Sequence, residues 1–215
     1  ALDKAALQQA ISGPDRDVAD FVGIEAGMEV LDLYAAGGYY TFILSKAVRE
    51  MGVVYAQNTH RGLNFVEDHQ DITQGQALNN KITQGELENV VQIIRPLDEI
   101  GIAPESLDAV VLAQTLHDYY NPNNTRALNM LIQLKDLLKH GGVIAVTDHI
   151  GISGRDNSAM HRMEIQQAID IAVIAGYEIE SSELLRVSND DHSRSIFDPR
   201  LNRTTDRFLL KLIKP

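Results

Sequence analysis

The sequence predicts an α/β fold built on a doubly wound, mostly parallel sheet. Short apolar runs alternate with segments of helical apolar spacing, and Gly or Pro stands at most of the joins between them. Strands joined by helices of about 10 to 18 residues form βαβ units, whose strands lie parallel. Such sheets bind ligands at the carboxyl ends of their strands. The residues that directly follow each predicted strand therefore bear most on function.

The first half of the chain predicts alternating helices and strands after two short N-terminal helices. Gly13-Pro14 separates those two helices, and Asp15 caps the second one. Gly52 ends the longer helix that follows the first strand. Polar residues 59–88 are expected to be loop and helix. The predicted elements are helices at 5–11 and up to Gly23, a strand at 28–33, a turn at 34–38, a helix at 41–51, and strands at 53–56 and 89–94.

The second half continues the alternation. Pro122 suits the first turn of a helix with a leucine stripe, and Gly141-Gly142 ends that helix. A second apolar stripe predicts a helix closed by Gly176. The leucine stripe consists of Leu128, Leu131, Leu134 and Leu138, and the second stripe of Ile165, Ala168, Ile169 and Ala172. The predicted strands are at 108–113, 143–147, 177–187 and 204–213.

The composition limits the kinds of partner that the chain is expected to bind. Its 215 residues predict a helical arm at 1–23 and a single domain at 24–215. A net charge of −11 without clustered Lys and Arg argues against nucleic acid and against an anionic membrane surface. No apolar run approaches the roughly 20 residues that span a bilayer. The absence of Cys excludes disulfides, thiolate nucleophiles and thiolate metal sites.

The turn after the first strand is a candidate ligand site. Asp32 ends the strand, and small residues follow before a helix, so a ligand could approach the backbone N–H groups there. The glycine fingerprint of nicotinamide enzymes is absent, and Asp32 suits a ligand that carries a cation or hydroxyl groups. A tight turn without a ligand is the alternative. Gln57 and Asn58 follow the second strand, where a carboxamide can bind ribose hydroxyls or serve as an ordinary turn residue.

Two His–Asp pairs follow two further strands. His117-Asp118 comes after the fourth strand and Asp148-His149 after the fifth, while a third pair, Asp191-His192, lies in a late loop. His117 is a candidate general base because the imidazole pKa lies near neutral pH. Their spacing matches no metal motif, so no metal ion is predicted. The remaining histidines are expected at the surface: His60, His69, His140 and His161.

Five tyrosines fall at two of these strand ends and could wall a pocket for an apolar or cationic group, or simply pack at the sheet edge. They are Tyr34, Tyr39, Tyr40, Tyr119 and Tyr120.

Several short motifs resemble the class I S-adenosylmethionine-dependent methyltransferases. Val30-Leu31-Asp32 with its turn is similar to their motif I, and Leu138-Lys139-His140-Gly141-Gly142 to their Leu-Lys-Pro-Gly-Gly block. More narrowly, the chain resembles a bacterial group of predicted methyltransferases of unassigned substrate. The motifs of that group are Gly38-Tyr39-Tyr40-Thr41, Val54-Tyr55-Ala56-Gln57-Asn58, Leu116-His117-Asp118, Thr147-Asp148-His149, Asp190-Asp191-His192, Phe197-Asp198-Pro199 and Thr205-Asp206-Arg207-Phe208.

This resemblance implies a seven-stranded sheet with the last strand inserted antiparallel, and S-adenosylmethionine as cofactor. It implies that Asn58 meets the ribose and that Gln114 lies beside the transferable methyl group. It places Leu97 and Asp98 around the adenine. The methionine part of the cofactor would be held by Asp32, Tyr34, Ala36, Gly37 and Gly38.

The chain departs from the family pattern in its cofactor loop. Tyr34 and Ala36 stand where motif I has glycine, and Asn58 stands in place of the usual acid. Glycine is used there because a Cβ would crowd the ligand or demand an unfavourable φ. We therefore expect weak cofactor binding.

The sequence thus predicts methyl transfer from S-adenosylmethionine to a small molecule. His117 would be the base, oriented by Asp118 or Asp148 with His149 nearby, under a loop at 188–203. One alternative is a non-catalytic binding module, and another is a metal-assisted hydrolase using His117, Asp148 and His149. The compartment is predicted to be cytoplasmic, with an exported, periplasmic protein as the alternative. The oligomeric state is not predicted.

Overall fold

The computed structural model describes residues 14–66, 71–201 and 204–215. The helix predicted at 5–11 and the side chain of Asp15, the predicted cap of the next helix, lie outside the described residues. The predicted boundary between an arm and a domain near residue 23 stays a prediction.

Within the described residues, seven strands form one sheet in the order β3-β2-β1-β4-β5-β7-β6. The pairs from β3 to β5 are parallel, while β7 runs antiparallel to both of its neighbours. The predicted seven-stranded, mostly parallel sheet with an antiparallel last strand is therefore confirmed. The strands are β1 (Glu29–Leu33), β2 (Val53–Asn58), β3 (Val90–Ile94), β4 (Leu107–Ala113), β5 (Leu138–His149), β6 (Glu178–Ser182) and β7 (Arg207–Ile213).

Helices cover both faces of the sheet. They are α1 (Pro14–Val22), α2 (Tyr39–Val48), α3 (His60–Leu63), α4 (Gln74–Gln84), α5 (Leu116–Tyr120), α6 (Asn124–Leu137) and α7 (Ile165–Ile174). Single 3₁₀ turns occur at Leu97–Glu99, Ser158–Met160 and Pro199–Leu201. No helix among the described residues is long and apolar enough to cross a membrane.

Side-chain alternation along the central strands divides the core between the two faces. Leu31 and Leu33 of β1 pack with α6 and α7, whereas Val30 packs with α1 and α2 on the other face. On α1, Val18 and Val22 are buried in this second cluster. The chain passes from β1 through β2 to β3 on one side and through β4 to β5 on the other. The switch point, where ligands bind in open α/β sheets, therefore lies between the ends of β1 and β4.

Several predicted boundaries were wrong. The helix predicted at 41–51 spans Tyr39–Val48, because Gly38 caps it and Arg49 leaves the helical region with φ 59°. Gly141-Gly142 does not end α6, because the helix stops at Leu137 and β5 begins at Leu138. The two glycines lie within β5, where its pairing with residues 107–109 of β4 shifts register. The strand predicted at 177–187 shortens to β6, and the short helix α5 was not predicted.

Candidate functional site

The turn after β1 has a glycine-like, left-handed backbone at two residues that are not glycine. Tyr34 and Ala36 have φ values of 56° and 49°, and Gly38 has 80°. Left-handed backbone of this kind is unfavourable for residues with a Cβ. At Gly38 the backbone also approaches α4 closely, since a Cβ there would lie 2.5 Å from Leu78 Cδ1. The fold therefore holds Tyr34 and Ala36 in a backbone conformation that glycines normally adopt in motif I.

Two carboxamides at the end of β2 hold this turn in place. Tyr34 donates its N–H to Gln57 Oε1 over 3.0 Å, and Ala36 donates its N–H to Asn58 Oδ1 over 3.0 Å. Asn58 Nδ2 donates back to the Ala36 carbonyl at 3.4 Å, and Gln57 Nε2 donates to the Arg95 carbonyl at 2.6 Å. Asn58, predicted to meet a ribose, therefore uses its amide on the turn. Gln57, which the sequence reasoning did not single out for this role, does the same.

Asp32 is enclosed beneath the start of α2, with 3% of its surface exposed. Thr41 Oγ1 donates to Asp32 Oδ2 over 2.5 Å, and the Thr41 backbone N–H also bonds to this carboxyl. Burial raises the pKa of Asp32 to about 7, although both Thr41 bonds act in the opposite direction. The carboxyl thus binds the start of α2 instead of facing solvent.

The other predicted cofactor residues lie along the same edge of the sheet. Gln114 is exposed directly after β4, with φ 53°, and its N–H donates to the Thr147 carbonyl at 2.7 Å. Leu97 is half-buried and Asp98 is exposed in the 3₁₀ turn after β3. Both line an open depression of about 430 Å³ against α6, which His117 does not reach.

His117 and Asp148 form a buried pair across the ends of β4 and β5. His117 Nδ1 lies 2.7 Å from Asp148 Oδ1, and the His117 backbone N–H donates to Asp148 Oδ2 at 2.9 Å. Oδ1 also accepts the His149 backbone N–H at 2.8 Å. The Asp148 carboxylate thus fixes the position and orientation of the imidazole. Asp148 is fully buried and contacts the Nδ1 side of His117 and two backbone N–H groups, so it is poorly placed as the metal ligand that the hydrolase alternative required.

The other ring nitrogen of His117 faces Asp118 and His161. His117 Nε2 is buried without an aligned hydrogen bond, and it lies 3.2 Å from Asp118 Oδ1. His161 Nδ1 lies 3.4 Å from the same oxygen. His161 was expected at the surface and away from any site. His161 directly follows the 3₁₀ turn at Ser158–Met160 and itself has a left-handed backbone, with φ 52°. The local sequence does not indicate this conformation.

The two strand-end histidines have opposite electrostatic environments. Burial works against the protonated form of His117, but Asp118 and Asp148 outweigh it and raise the pKa to about 9. Burial lowers the pKa of His149 to about 4. His149 Nδ1 is hydrogen-bonded to Thr205 Oγ1 at 2.8 Å, while its buried Nε2 has no partner. His117 is therefore the stronger proton acceptor, and its pKa lies above the near-neutral value that the sequence suggested.

The third His–Asp pair does not join this site. His192 Nε2 lies 2.8 Å from Asp206 Oδ2, not from its sequence neighbour Asp191. Asp190 accepts two bonds from the fully buried guanidinium of Arg162, at 2.8 and 3.1 Å. These pairs fasten the described part of the predicted closing loop to the end of β5. Further along this loop, the Phe197 ring packs 5.0 Å from the His161 ring.

Tyrosines connect the turn to the histidine site. The hydroxyls of Tyr34 and Tyr119 are hydrogen-bonded, with ring centroids 5.7 Å apart, and Arg126 lies over the Tyr119 ring. This contact joins the β1 turn to α5, the helix that carries His117. Tyr39 and Tyr40 instead pack edge to face on α2.

Comparisons with known proteins identify the fold. No family model and no curated protein sequence matches the chain. Among solved structures, a SAM-dependent methyltransferase from Aquifex aeolicus is similar over 100% of both chains, with a TM-score of 0.68 and 18% identity. An arsenic(III) S-adenosylmethionine methyltransferase from Chlamydomonas reinhardtii is similar over 97% of this chain and 72% of its own, with a TM-score of 0.58 and 17% identity.

The [4+2]-cyclase SpnF is similar over 97% of this chain and 82% of its own, with a TM-score of 0.65 and 15% identity. The chain therefore has the fold of S-adenosylmethionine-dependent methyltransferases. At these identities the likeness extends to the fold alone.

Proposed function

We propose that this chain transfers a methyl group from S-adenosylmethionine to a small-molecule acceptor, and that His117 takes up the acceptor's proton. The observation that supports this proposal most directly is the buried His117–Asp148 pair beside the left-handed turn after β1. Both lie at the carboxyl edge of the sheet, on either side of the switch point. The Tyr34–Tyr119 hydrogen bond connects the turn to α5, the helix that carries His117.

The residues at this edge suit the cofactor in most respects. The backbone of Tyr34 and Ala36 already has the conformation that glycines give in motif I, and Gly37 and Gly38 lead into α2 without side-chain bulk. Gln114 and Asp98 are exposed polar groups on the neighbouring strand ends. When bound, S-adenosylmethionine supplies a methyl group already activated on a sulfonium.

Asn58 would then act mainly by holding the turn, and Asp32 by holding the start of α2. Asn58 has one amide N–H beyond its bond to Ala36, and this N–H would donate to a ribose hydroxyl. The buried Asp32 carboxyl would position α2 through Thr41. These roles replace the direct contact with the methionine part that the resemblance implied for Asp32.

The chain's own contribution to the reaction would be alignment and proton removal. Because the pKa of His117 is raised to about 9, the imidazole would first release its own proton, and Nε2 would then accept the proton that the acceptor loses as its bond to the methyl group forms. Asp148 would hold the ring and stabilise the imidazolium, as the orienting carboxylate does in other His–Asp pairs. Asp118, with 56% of its side chain exposed, would face the acceptor.

Calorimetry with S-adenosylmethionine and S-adenosylhomocysteine on metal-free protein tests the cofactor assignment without knowledge of the acceptor. We expect both to bind weakly, with Asp98→Asn reducing the affinity several-fold. The matched control is Glu50→Gln, which neutralises an exposed acid just after α2 and away from the switch point. An absence of binding at millimolar ligand, or equal losses in both variants, would refute the assignment.

A non-catalytic binding module is the second candidate. Tyr34 favours it, because its ring occupies a motif I position and is fastened to Tyr119 where a cofactor would enter. The similarity to SpnF also illustrates that this fold serves a reaction named differently from methyl transfer. Cofactor binding without turnover on any acceptor of a broad panel would favour this candidate.

A further inference from the structure

We propose that His117, Asp118 and His161 form a binding site for a divalent transition-metal ion such as Zn²⁺. The three side chains offer two imidazole nitrogens and one carboxylate oxygen, and these atoms all lie within 4.8 Å of one another. Two imidazoles and a carboxylate are a common donor set of catalytic zinc and non-haem iron sites. The sequence predicted no metal because His161 lies 43 residues or more from its partners and follows no spacing motif.

The spacing of the donor atoms fits direct coordination. Bonds of about 2.0–2.1 Å at tetrahedral angles separate neighbouring ligand atoms by roughly 3.3 Å. Asp118 Oδ1 lies 3.2 Å from His117 Nε2 and 3.4 Å from His161 Nδ1. Both distances end on Asp118 Oδ1, and the two imidazole nitrogens lie within 4.8 Å of each other, so one ion between the three atoms would require adjustment of the partly exposed Asp118 and His161 side chains.

The arrangement behind His117 supports the same conclusion. In metal sites a ligating histidine usually donates its other ring N–H to a carboxylate, which fixes the ring and its tautomer. His117 Nδ1 makes this contact with the fully buried Asp148 at 2.7 Å. The opposite nitrogen, Nε2, is buried and lacks an aligned hydrogen bond. A buried imidazole nitrogen that is held in place beside a carboxylate, without an aligned hydrogen bond, is suited to binding a metal ion.

The site is open on one side. Asp118 and His161 have 56% and 42% of their side chains exposed, so an ion can reach them from solvent. Three protein ligands leave at least one coordination position for water or for an oxygen or nitrogen of a small molecule. The proposal does not depend on methyl transfer. Because an ion would occupy His117 Nε2, metal binding and proton uptake by His117 exclude each other.

Zn²⁺ titration of untagged, chelator-treated protein, followed by calorimetry, tests the site directly. We expect one ion per chain with a Kd of roughly 1 µM or tighter. His161→Gln and Asp118→Asn should each weaken binding about 100-fold or more. The matched control is His140→Gln, at an exposed histidine beside Gly141, and it should leave the affinity unchanged. Co²⁺ in place of Zn²⁺ should give visible absorption bands that His161→Gln abolishes.

Asp148→Asn tests the carboxylate behind the ligating histidine. It should weaken Zn²⁺ binding by about 10- to 100-fold while the ion stays bound to the same three residues. Circular dichroism of each variant checks that the fold is kept, and Asp118 and His161 are exposed enough for substitution. The proposal is overturned if the wild type binds no Zn²⁺ in this range, or if binding survives both His161→Gln and Asp118→Asn. Either result leaves the cofactor calorimetry on metal-free protein unaffected.

Discussion

Replacing Asp32 with asparagine should stabilise the protein at alkaline pH and have a declining effect as the pH falls. The carboxyl is enclosed under α2, and its pKa rises from an ordinary 3.8 to about 7. The folded state therefore holds the proton more tightly than the unfolded state does. Protonation of Asp32 therefore stabilises the folded state to its full extent below about pH 4, and this stabilisation is lost as the pH rises towards 7.

The magnitude follows from the pKa difference. Each unit corresponds to about 1.4 kcal/mol, so ionising the buried Asp32 lowers the free energy of unfolding by about 4 kcal/mol in total. The introduced amide cannot ionise, and its oxygen can still accept the Thr41 hydroxyl bond. The difference between variant and wild type should grow by about 1.4 kcal/mol per pH unit up to pH 7 and stay constant above it.

Urea unfolding followed by far-ultraviolet circular dichroism between pH 5 and pH 9 measures this difference, since the chain has no Trp to report by fluorescence. Only the change with pH is diagnostic, because the altered hydrogen-bonding groups of the amide add a constant offset. Glu50→Gln is the control, since it removes a solvent-exposed carboxylate and relieves no buried charge. A pH-independent difference, or one that shrinks as the pH rises, would contradict the reasoning.

Three further outcomes can be measured on the same protein. Ala36→Gly should relieve left-handed backbone strain and add roughly 0.5–1 kcal/mol to the free energy of unfolding, after the greater flexibility of Gly in the unfolded chain is counted. The same substitution should tighten S-adenosylmethionine binding in calorimetry. Looser binding would count against the turn as the cofactor site. His117→Gln should leave cofactor affinity within a few fold and reduce turnover by roughly 100-fold or more once an acceptor is known; unchanged turnover would exclude His117 as the base. Asp190→Ala should destabilise the chain by about 3–5 kcal/mol in denaturant, because it leaves the buried Arg162 charge without its partner; a loss below about 1 kcal/mol would mean that the guanidinium is hydrated.

The repeating pattern of apolar segments was sufficient to predict the strands, a parallel sheet and most of the helices, while the antiparallel last strand was predicted only from the family resemblance. Burial on one or both faces is a periodic, local requirement, so it appears directly in the order of residues. It also identified the strand ends, and with them Asp32, His117 and Asp148, as the place to look for chemistry. The predicted helix end at Gly141-Gly142 was wrong because a glycine pair can either end a helix or lie in a bulged strand. Pairing with β4, a tertiary contact, decided between the two.

Only the tertiary structure decided what the strand-end side chains contact. Asn58 and Gln57 turn to the backbone of the β1 turn, and His161 reaches Asp118 from a distant loop. Such contacts depend on strand register and on the path of each connecting segment, which local periodicity does not encode. The elevated pKa of Asp32 has the same origin, because desolvation depends on everything packed around the carboxyl. The sequence by itself determined the fold and the sheet edge at which the proposed site lies, while three-dimensional packing determined which groups at that edge are held by other residues.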